Sequence, residues 1–327
     1  MTDFDRSGAD TESEDDPDQH PRHPRLRKVA RYLGIGLGVL IAVYLMLFAI
    51  SKIRTDARDD LAFFEPRADE HRPLVVAHQG GEGERPSNTM IAFRNALAVG
   101  ADVLDADMHM TADGVLVLIH DETVDDTSDG SGAVRNMTLD ELRRLDFAYT
   151  FSTDDGMTYP YRGQGHGIVT VDELFSEFTA TRFGIEIKQT TVEAATKLCA
   201  LIREHRYEQR VLVSSFSQDN MSAFRDACPS VATSATTGEA RQFYIFQFVR
   251  LSGLYSPPFD SLQVPEYRGG IHVLTSSFVG AARSWNLPVV PWTINEVEDF
   301  ERIIDDFDPD GINTNYPQRL VDYLESG

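Results

Sequence analysis

Asp105 and Asp107 stand two residues apart at the end of one apolar run, VLDAD, and Glu186 and Lys188 stand two apart at the end of another, FGIEIK. Side chains two apart on a strand share a face, so each pair points one way. Three carboxylates converging from two strands must be neutralised, and an oxygen-only ligand set of Asp105, Asp107 and Glu186 suits one hard divalent cation, Ca²⁺ or Mg²⁺. Taken singly, the aspartates read as strand caps and Glu186 with Lys188 as a solvated pair. Taken together with His78, ending LVVAH, and His120, ending VLVLIH, they read as a site. No serine, cysteine or lysine stands in an arrangement that would favour a covalent nucleophile.

Positioning these side chains requires strands that end on a common face. From about Pro73, short apolar runs alternate with amphipathic stretches, the pattern of βα units around a parallel sheet. Eight runs can be counted: 74–78, 103–107, 183–188, 211–216, 231–235, 262–265, 289–293 and 311–314. Eight strands in this length predict an α/β fold of the TIM (β/α)8 type, whose chemistry sits at the carboxyl ends of the strands. Helices are expected at 192–205, 218–227, 239–251, 275–285, 296–306 and 317–325. Another is expected after an N-cap at Ser87 or Asn88, ending at Gly100. One segment departs from the alternation. Thr111-Ala112-Asp113-Gly114 is a turn signal and VLVLIH returns as an extra strand, so a small subdomain, about 111–170 with a short helix at 139–145, is inserted after the second strand. Its place makes it a lid or specificity element.

The chain has 327 residues, 42% apolar and 25% charged, with a net charge of −22. That charge excludes nucleic acid as a partner, because phosphates need a basic footprint. Two cysteines, Cys199 and Cys228, allow one bridge or two buried thiols and suggest no zinc site. Residues 32–50, YLGIGLGVLIAVYLMLFAI, carry no charge. As a helix the run is roughly 28 Å long, matching a bilayer core of about 30 Å. It exceeds a signal peptide's apolar region and lacks a small-x-small cleavage site, so an uncleaved single-pass anchor in the lipid bilayer is expected. Arg22, Arg25, Arg27, Lys28 and Arg31 precede it and Lys52, Arg54 and Arg58 follow, which places the N-terminus in the cytoplasm and the large domain outside. Gly34 and Gly38 form a GxxxG pair through which two anchors could make a homodimer. The expected organisation is a disordered acidic cytoplasmic tail (1–31), the anchor (32–50), a linker (51–72) and the barrel (73–327). The cluster Phe243, Tyr244, Phe246 and Phe248 is more apolar than a surface helix needs. Core burial and contact with acyl chains or a bilayer surface are the two readings of it.

In order and spacing, several motifs resemble the glycerophosphodiester phosphodiesterase family: His78-Gln79-Gly80, Pro86-Ser87-Asn88-Thr89, Asp105-Ala106-Asp107, His120-Asp121-Glu122-Thr123, Glu186-Ile187-Lys188, Ser214-Ser215-Phe216, Trp292-Thr293-Ile294-Asn295 and Asp310-Gly311-Ile312. The resemblance spans residues 73–322 and implies a TIM barrel with a small insertion. It also implies metal-dependent hydrolysis of glycerophosphodiesters to glycerol 3-phosphate and an alcohol, with lysophospholipids as an alternative substrate class. By the same resemblance His78 and His120 are the acid/base pair, Asp105, Asp107 and Glu186 hold the metal, and Lys188 lies near the phosphate. Phe216 and Trp292 match positions lining the pocket, with core packing as the competing reading. Four positions depart from the family pattern. Gln79 replaces an arginine and can donate one neutral hydrogen bond to substrate, Ser87 and Asn315 each replace a carboxylate, and Asp105 replaces a glutamate. These departures motivate the rival reading, a catalytically silent phosphate- or lipid-binding barrel, against which stands retention of both histidines and all three carboxylates.

Overall fold

The structure is a computed structural model, and it describes residues 24–53, 59, 61–65, 72–189 and 191–326. The chain divides into two units, Met1–Ala49 and Ile50–Gly327. In the first unit, helix α1 begins; its full extent is Pro24–Ile53, and from Lys28 it is long and apolar enough to cross a membrane. Most of its described apolar side chains are exposed, among them Leu33, Leu40 and Met46. The tail expected at 1–31 lies mostly outside the described residues.

In the second unit, twelve strands occur among the described residues: β1 (Leu74–Ala77), β2 (Val103–Met110), β3 (Leu116–Leu118), β4 (Val169–Thr170), β5 (Arg182–Ile187), β6 (Val211–Ser214), β7 (Ala232–Thr233), β8 (Leu262–Pro265), β9 (Tyr267–Arg268), β10 (Ile271–His272), β11 (Val289–Trp292) and β12 (Gly311–Thr314). Strands β12, β1, β2, β5, β6 and β7 pair in that order, all parallel, and β8 pairs with β11 in parallel. A parallel bridge between Ser234 and Ser261 joins β7 to β8. The Ile294 N–H donates to the Asn313 carbonyl at 2.9 Å and that of Asp310 to the Val289 carbonyl at 3.0 Å, joining β11 to β12. The ring therefore closes as a (β/α)8 barrel whose eight strands coincide with the eight apolar runs.

Inward positions follow the two-residue period of each strand. Near the amino ends they are apolar: Leu74, Val76, Val103, Leu212 and Val290 form one buried cluster inside the barrel. Phe63, in a short 3-10 turn at Ala62–Phe64, is 4% exposed and packs into that cluster. The barrel floor is thus closed by a residue from the expected linker. Farther along, the same faces become polar, with His78 past β1, Asp105 and Asp107 on β2, Glu186 on β5 and Asn313 on β12. The outward faces, with Val75, Leu104, Ile185 and Val213, pack under the helices in the main core.

The helices are α2 (Met90–Ala98), α3 (Leu139–Leu142), α4 (Val171–Glu177), α5 (Val192–Glu204), α6 (Gln218–Ala227), α7 (Thr237–Phe248), α8 (Ser276–Ser284), α9 (Val297–Phe307) and α10 (Pro317–Ser326). A hydroxyl side chain caps most of them, because the first N–H groups of a helix need an acceptor. Thr89 caps α2 rather than Ser87 or Asn88, accepting from the Ala92 N–H. Asn88 has φ 54° and turns its side chain into the site instead. The insertion holds β3, antiparallel to β2, and β4, antiparallel to β3. Val117, Ile119, Val124, Val134, Leu142, Phe147 and Ile168 give it a core of its own. Its helix stops at Leu142 rather than 145, started by a capping box between Thr138 and Glu141. Cys199 on α5 and Cys228 after α6 form a disulfide, resolving the alternatives left open by the sequence.

Candidate active site

The pairing register brings the charged residues together. Asp105 lies beside Gly184 and Asp107 beside Glu186 across the β2–β5 ladder. Gly184 matters here for what it lacks: a methyl group on it would overlap the Asp105 carboxylate. A cleft of about 190 Å³ opens at the carboxyl ends of the strands. Its walls include His78, Asp105, His120, Glu186, Lys188 and Asn313. Phe216 and Trp292 add an apolar wall, their rings edge to face at 6.2 Å and the Lys188 ammonium 5.7 Å from the centre of the Phe216 ring. A larger open depression of about 790 Å³ beside Tyr316 and Gln318 holds none of the catalytic candidates.

Lys188 anchors the charge balance. Its ammonium lies 3.1 Å from Glu186 Oε1 and 3.2 Å from Asp107 Oδ1. Burial opposes its charge, but Asp107 and Glu186 outweigh burial and hold its pKa above the ordinary lysine value. Asp107 is 4% exposed and stands behind the cleft wall, accepting from Asn88 Nδ2 at 3.3 Å while its own N–H donates to Asn88 Oδ1 at 3.1 Å. Asn88 also donates to Gln79 Oε1 at 3.2 Å, and Gln79, 4% exposed, is not among the residues lining the cleft. Asp105 accepts from Asn313 Nδ2 at 2.9 Å, and burial pushes its carboxyl above the usual range. Burial likewise pushes Glu186 up to about 7, against the partial relief given by Lys188.

The ring of His78 is held from behind. Its Nδ1 lies 2.7 Å from Asn315 Oδ1 and 3.4 Å from Glu82 Oε1, so Nδ1 carries the donated proton and Nε2 is left for chemistry in the cleft. Burial works against its charged form, but Glu82, Asp105 and Asp107 together raise its pKa to about 9. His120 is exposed, with Nδ1 2.7 Å from Asp121 Oδ1. Its carbonyl is tied to Nε2 of buried His109 at 3.2 Å, so His109 supports the segment bearing His120. The loop after β1 bends tightly because Gln79, Gly80 and Gly81 all have positive φ.

Among the described residues no group of three His, Cys, Asp or Glu side chains has the spacing of a metal site. Lys188 stands between two of the three expected ligands. The chemistry of the donors nevertheless fits a hard cation. Asn313 Oδ1 is buried and receives no hydrogen bond, and two desolvated carboxyls, Asp105 and the Lys188-paired Glu186, stand beside it.

Sequence reading missed Glu82, Asn313 and Gly184, and gave Asn88 the part of a helix cap within a motif rather than that of a partner of Asp107. Asn313 was accessible to the two-residue period of β12, but an asparagine in a strand carries no chemical signal by itself. Glu82 and Asn88 lie on a loop whose path depends on positive-φ residues, which no periodicity encodes.

A model of the glycerophosphoryl diester phosphodiesterase family matches residues 78–319. A protein of Caldanaerobacter subterraneus named glycerophosphodiester phosphodiesterase is 31% identical over 265 residues, 78% of this chain and 99% of that protein. Lysophospholipase D GDPD3 of Mus musculus is 24% identical over 281 residues, covering 80% of this chain and 84% of its own. Among solved structures, glycerophosphodiester phosphodiesterase from Agrobacterium tumefaciens superimposes with a TM-score of 0.61 at 23% identity, covering 76% of this chain and 99% of that one. A phosphodiesterase from Oleispira antarctica, in complex with the product sn-glycerol-3-phosphate, gives 0.63 at 19% identity, with 78% and 97% covered.

Proposed function

The chain belongs to the glycerophosphoryl diester phosphodiesterase family, and from that premise we propose that its strand-end cleft hydrolyses glycerophosphodiesters with His78 and His120 as the proton-transfer pair, on the outer side of a membrane. The enzyme is a phosphoric diester hydrolase releasing glycerol 3-phosphate and an alcohol. The observation that carries the assignment of roles is the meeting of His78, His120, Asp105, Glu186 and Lys188 around one cleft.

Lys188 binds the phosphate as a point charge, turning from the carboxylates that hold it. One histidine accepts a proton from the attacking hydroxyl, of water or of the substrate's own glycerol, while the other gives a proton to the departing alkoxide. With water attacking, one P–O bond to the alcohol breaks and one forms to the water oxygen, one water proton passing to the accepting histidine while the other histidine's proton leaves on the alcohol; attack by the glycerol hydroxyl first releases the alcohol and a cyclic phosphate, which water then opens to glycerol 3-phosphate. Asp105 and Glu186 would hold a divalent cation together with Asp107, and Asn313 Oδ1 is a further oxygen within the cleft. Such an ion supplies Lewis-acid neutralisation of charge developing on the non-bridging phosphate oxygens. Phe216 and Trp292 offer the glycerol carbons an apolar wall.

Two observations support the outer-side placement. The α1 helix is long and apolar enough to cross a membrane, preceded by the larger share of basic residues. The Cys199–Cys228 disulfide belongs to an oxidising compartment.

Turnover of glycerophosphocholine and glycerophosphoethanolamine by the full chain in detergent micelles, with Ca²⁺, Mg²⁺ or chelator, tests the reading. Glycerol 3-phosphate release that requires a divalent ion and falls by roughly 10²-fold or more in His120→Ala is expected. Release unaffected by both chelator and His120→Ala would refute the assignment.

A further inference from the structure

The uncharged run 32–50 ends at Ile50, where the second unit of the chain begins. The next residue, Ser51, is 4% exposed, and its Oγ accepts from the Gly253 N–H at 2.9 Å. The expected linker is therefore fixed at its first residue. Gly253 is itself held near the end of α7. The Leu251 N–H donates back to the Phe246 carbonyl at 2.7 Å, Trp285 Nε1 donates to the Ser252 carbonyl at 3.2 Å, and Tyr255 stacks on Phe246 at 5.3 Å. A helix rises only about 1.5 Å per residue, so a span that leaves the bilayer at Ile50 has no free length and delivers the end of α7 to the lipid surface.

The aromatic cluster on that helix divides between the two readings of it. Phe243 is buried, edge to face with Phe278 at 5.4 Å, and belongs to the core. Phe248 is 72% exposed and Ile245 51%, and core burial accounts for neither. Arg241, Ile245 and Phe248 stand at i, i+4 and i+7, a single stripe of the helix, and exposed Val249 and Arg250 extend it past the helix end. Residues 240–259 contain two arginines and no Asp or Glu, in a chain with 52 such acids. Apolar side chains flanked by arginines and free of acids match a bilayer surface, whose acyl carbons take up the former and whose phosphates pair with the latter.

We propose that the α7 stripe of Arg241, Ile245 and Phe248 docks on the membrane that carries the anchor, its apolar side chains seated at the boundary of head groups and acyl chains. The barrel then lies on its side instead of swinging from a tether. Because the helices of such a barrel run alongside its strands, the strand ends bearing His78 and Glu186 open along the membrane surface. This rests on the reading of α1 as a span and goes beyond it.

The test is the full chain in lipid nanodiscs of phosphatidylcholine and phosphatidylglycerol, carrying one environment-sensitive fluorophore on Phe248→Cys, on Ile245→Cys or on Ala98→Cys. The chain's two cysteines are bridged and do not compete for the label. All three positions are exposed, so no label burdens the core. Ala98 is on α2, after β1, and α7 follows β7; these strands are opposite in the closed ring of eight, so the helices stand on opposite sides of the barrel. Labels at 245 and 248 should emit to the blue of the label at 98, be quenched by lipid with a doxyl group near the head-group end of its acyl chain, and lose most of the iodide quenching that position 98 keeps. Iodide quenching at 245 and 248 equal to that at 98, in a chain that stays with the discs on gel filtration, overturns the docked face and leaves the span intact. Shielding from iodide without quenching by the doxyl lipid means that protein, such as a second copy, covers the face, and overturns it too. A chain that parts from the discs sinks the span and the docked face together.

Discussion

The imidazole of His78, which lines the cleft, is held asymmetrically: Nδ1 is engaged by Asn315 and Glu82, which leaves Nε2 for the proton transfer proposed above. Asn315 is one of the positions where the chain departs from its family's pattern, and the structure gives it a definite task, fixing the ring's tautomer and plane. Asn315→Ala should therefore lower kcat by roughly 10- to 100-fold, the cost of a misplaced proton donor or acceptor, with KM little changed. Asn315→Asp, which keeps the acceptor, should retain most of the rate, and steady-state kinetics of the two variants decide the matter. Equal damage from both would deny Asn315 a positioning role. At this scale the sequence was legible where chemistry has a distinctive residue type: histidines, paired carboxylates and a lysine at strand ends. It was silent on Gly184, whose contribution is the space it leaves for Asp105, and it read Asn88 as a helix cap when its amide joins Asp107 to Gln79. Both effects exist only after two strands are in register or a loop has taken a left-handed turn.

Between residue and molecule, the weakest barrel strand shows how elements hold one another. Strand β7 is two residues long and contributes little ladder of its own. Arg225 of α6 donates to Thr233 Oγ1 at 3.0 Å and to the Ser234 carbonyl at 3.1 Å, and also to Glu239 of α7 at 2.6 and 3.1 Å. Glu239 is 5% exposed and accepts as well from the Thr236 N–H at its own helix start. Burial opposes its ionisation, but Arg225 and the capping contacts outweigh burial and hold its pKa below the ordinary carboxylate value. A depressed folded pKa adds stability that is complete above the unfolded pKa and is lost as pH falls through the folded one. Glu239→Gln, which leaves a buried guanidinium without its counter-charge, should cost roughly 3–5 kcal/mol at neutral pH. The gap from wild type should close in acid, below the carboxylate range. Urea unfolding at both pH values measures it, and a gap independent of pH would mean the pair is not ionised in the fold. Alternating apolar runs made the eight strands and most of the helices readable to within a few residues. The short α4 helix and the β9–β10 hairpin escaped, because their few residues span too little of any period.

For the molecule as a whole, the disulfide and the barrel floor set the terms of stability. Cys199 and Cys228 are 29 residues apart in sequence, and closing that loop in the unfolded chain is worth about 3–4 kcal/mol. Replacing both by serine, or adding reductant, should lower the unfolding free energy by that much, read as a lower denaturant midpoint, and a midpoint indifferent to reductant would remove the bridge from the stability account. Sequence alone left the bridge open, since pairing depends on α5 and α6 lying side by side. It also set the barrel's beginning at residue 73, where the first apolar run starts. The floor places it earlier, since Phe63 plugs the ring of Leu74, Val76, Val103, Leu212 and Val290 from below, and the Gly253 N–H donates to buried Ser51 at 2.9 Å. A protease that freed the enzyme by cutting just ahead of β1 would thus pull the stopper from the barrel. The shed product would carry an open apolar mouth, fit for aggregation or for capture by another chain. A cut made past the end of α1 but ahead of Phe63 would instead release an enzyme that keeps its floor, so where the tether is severed decides whether release yields a working hydrolase or debris.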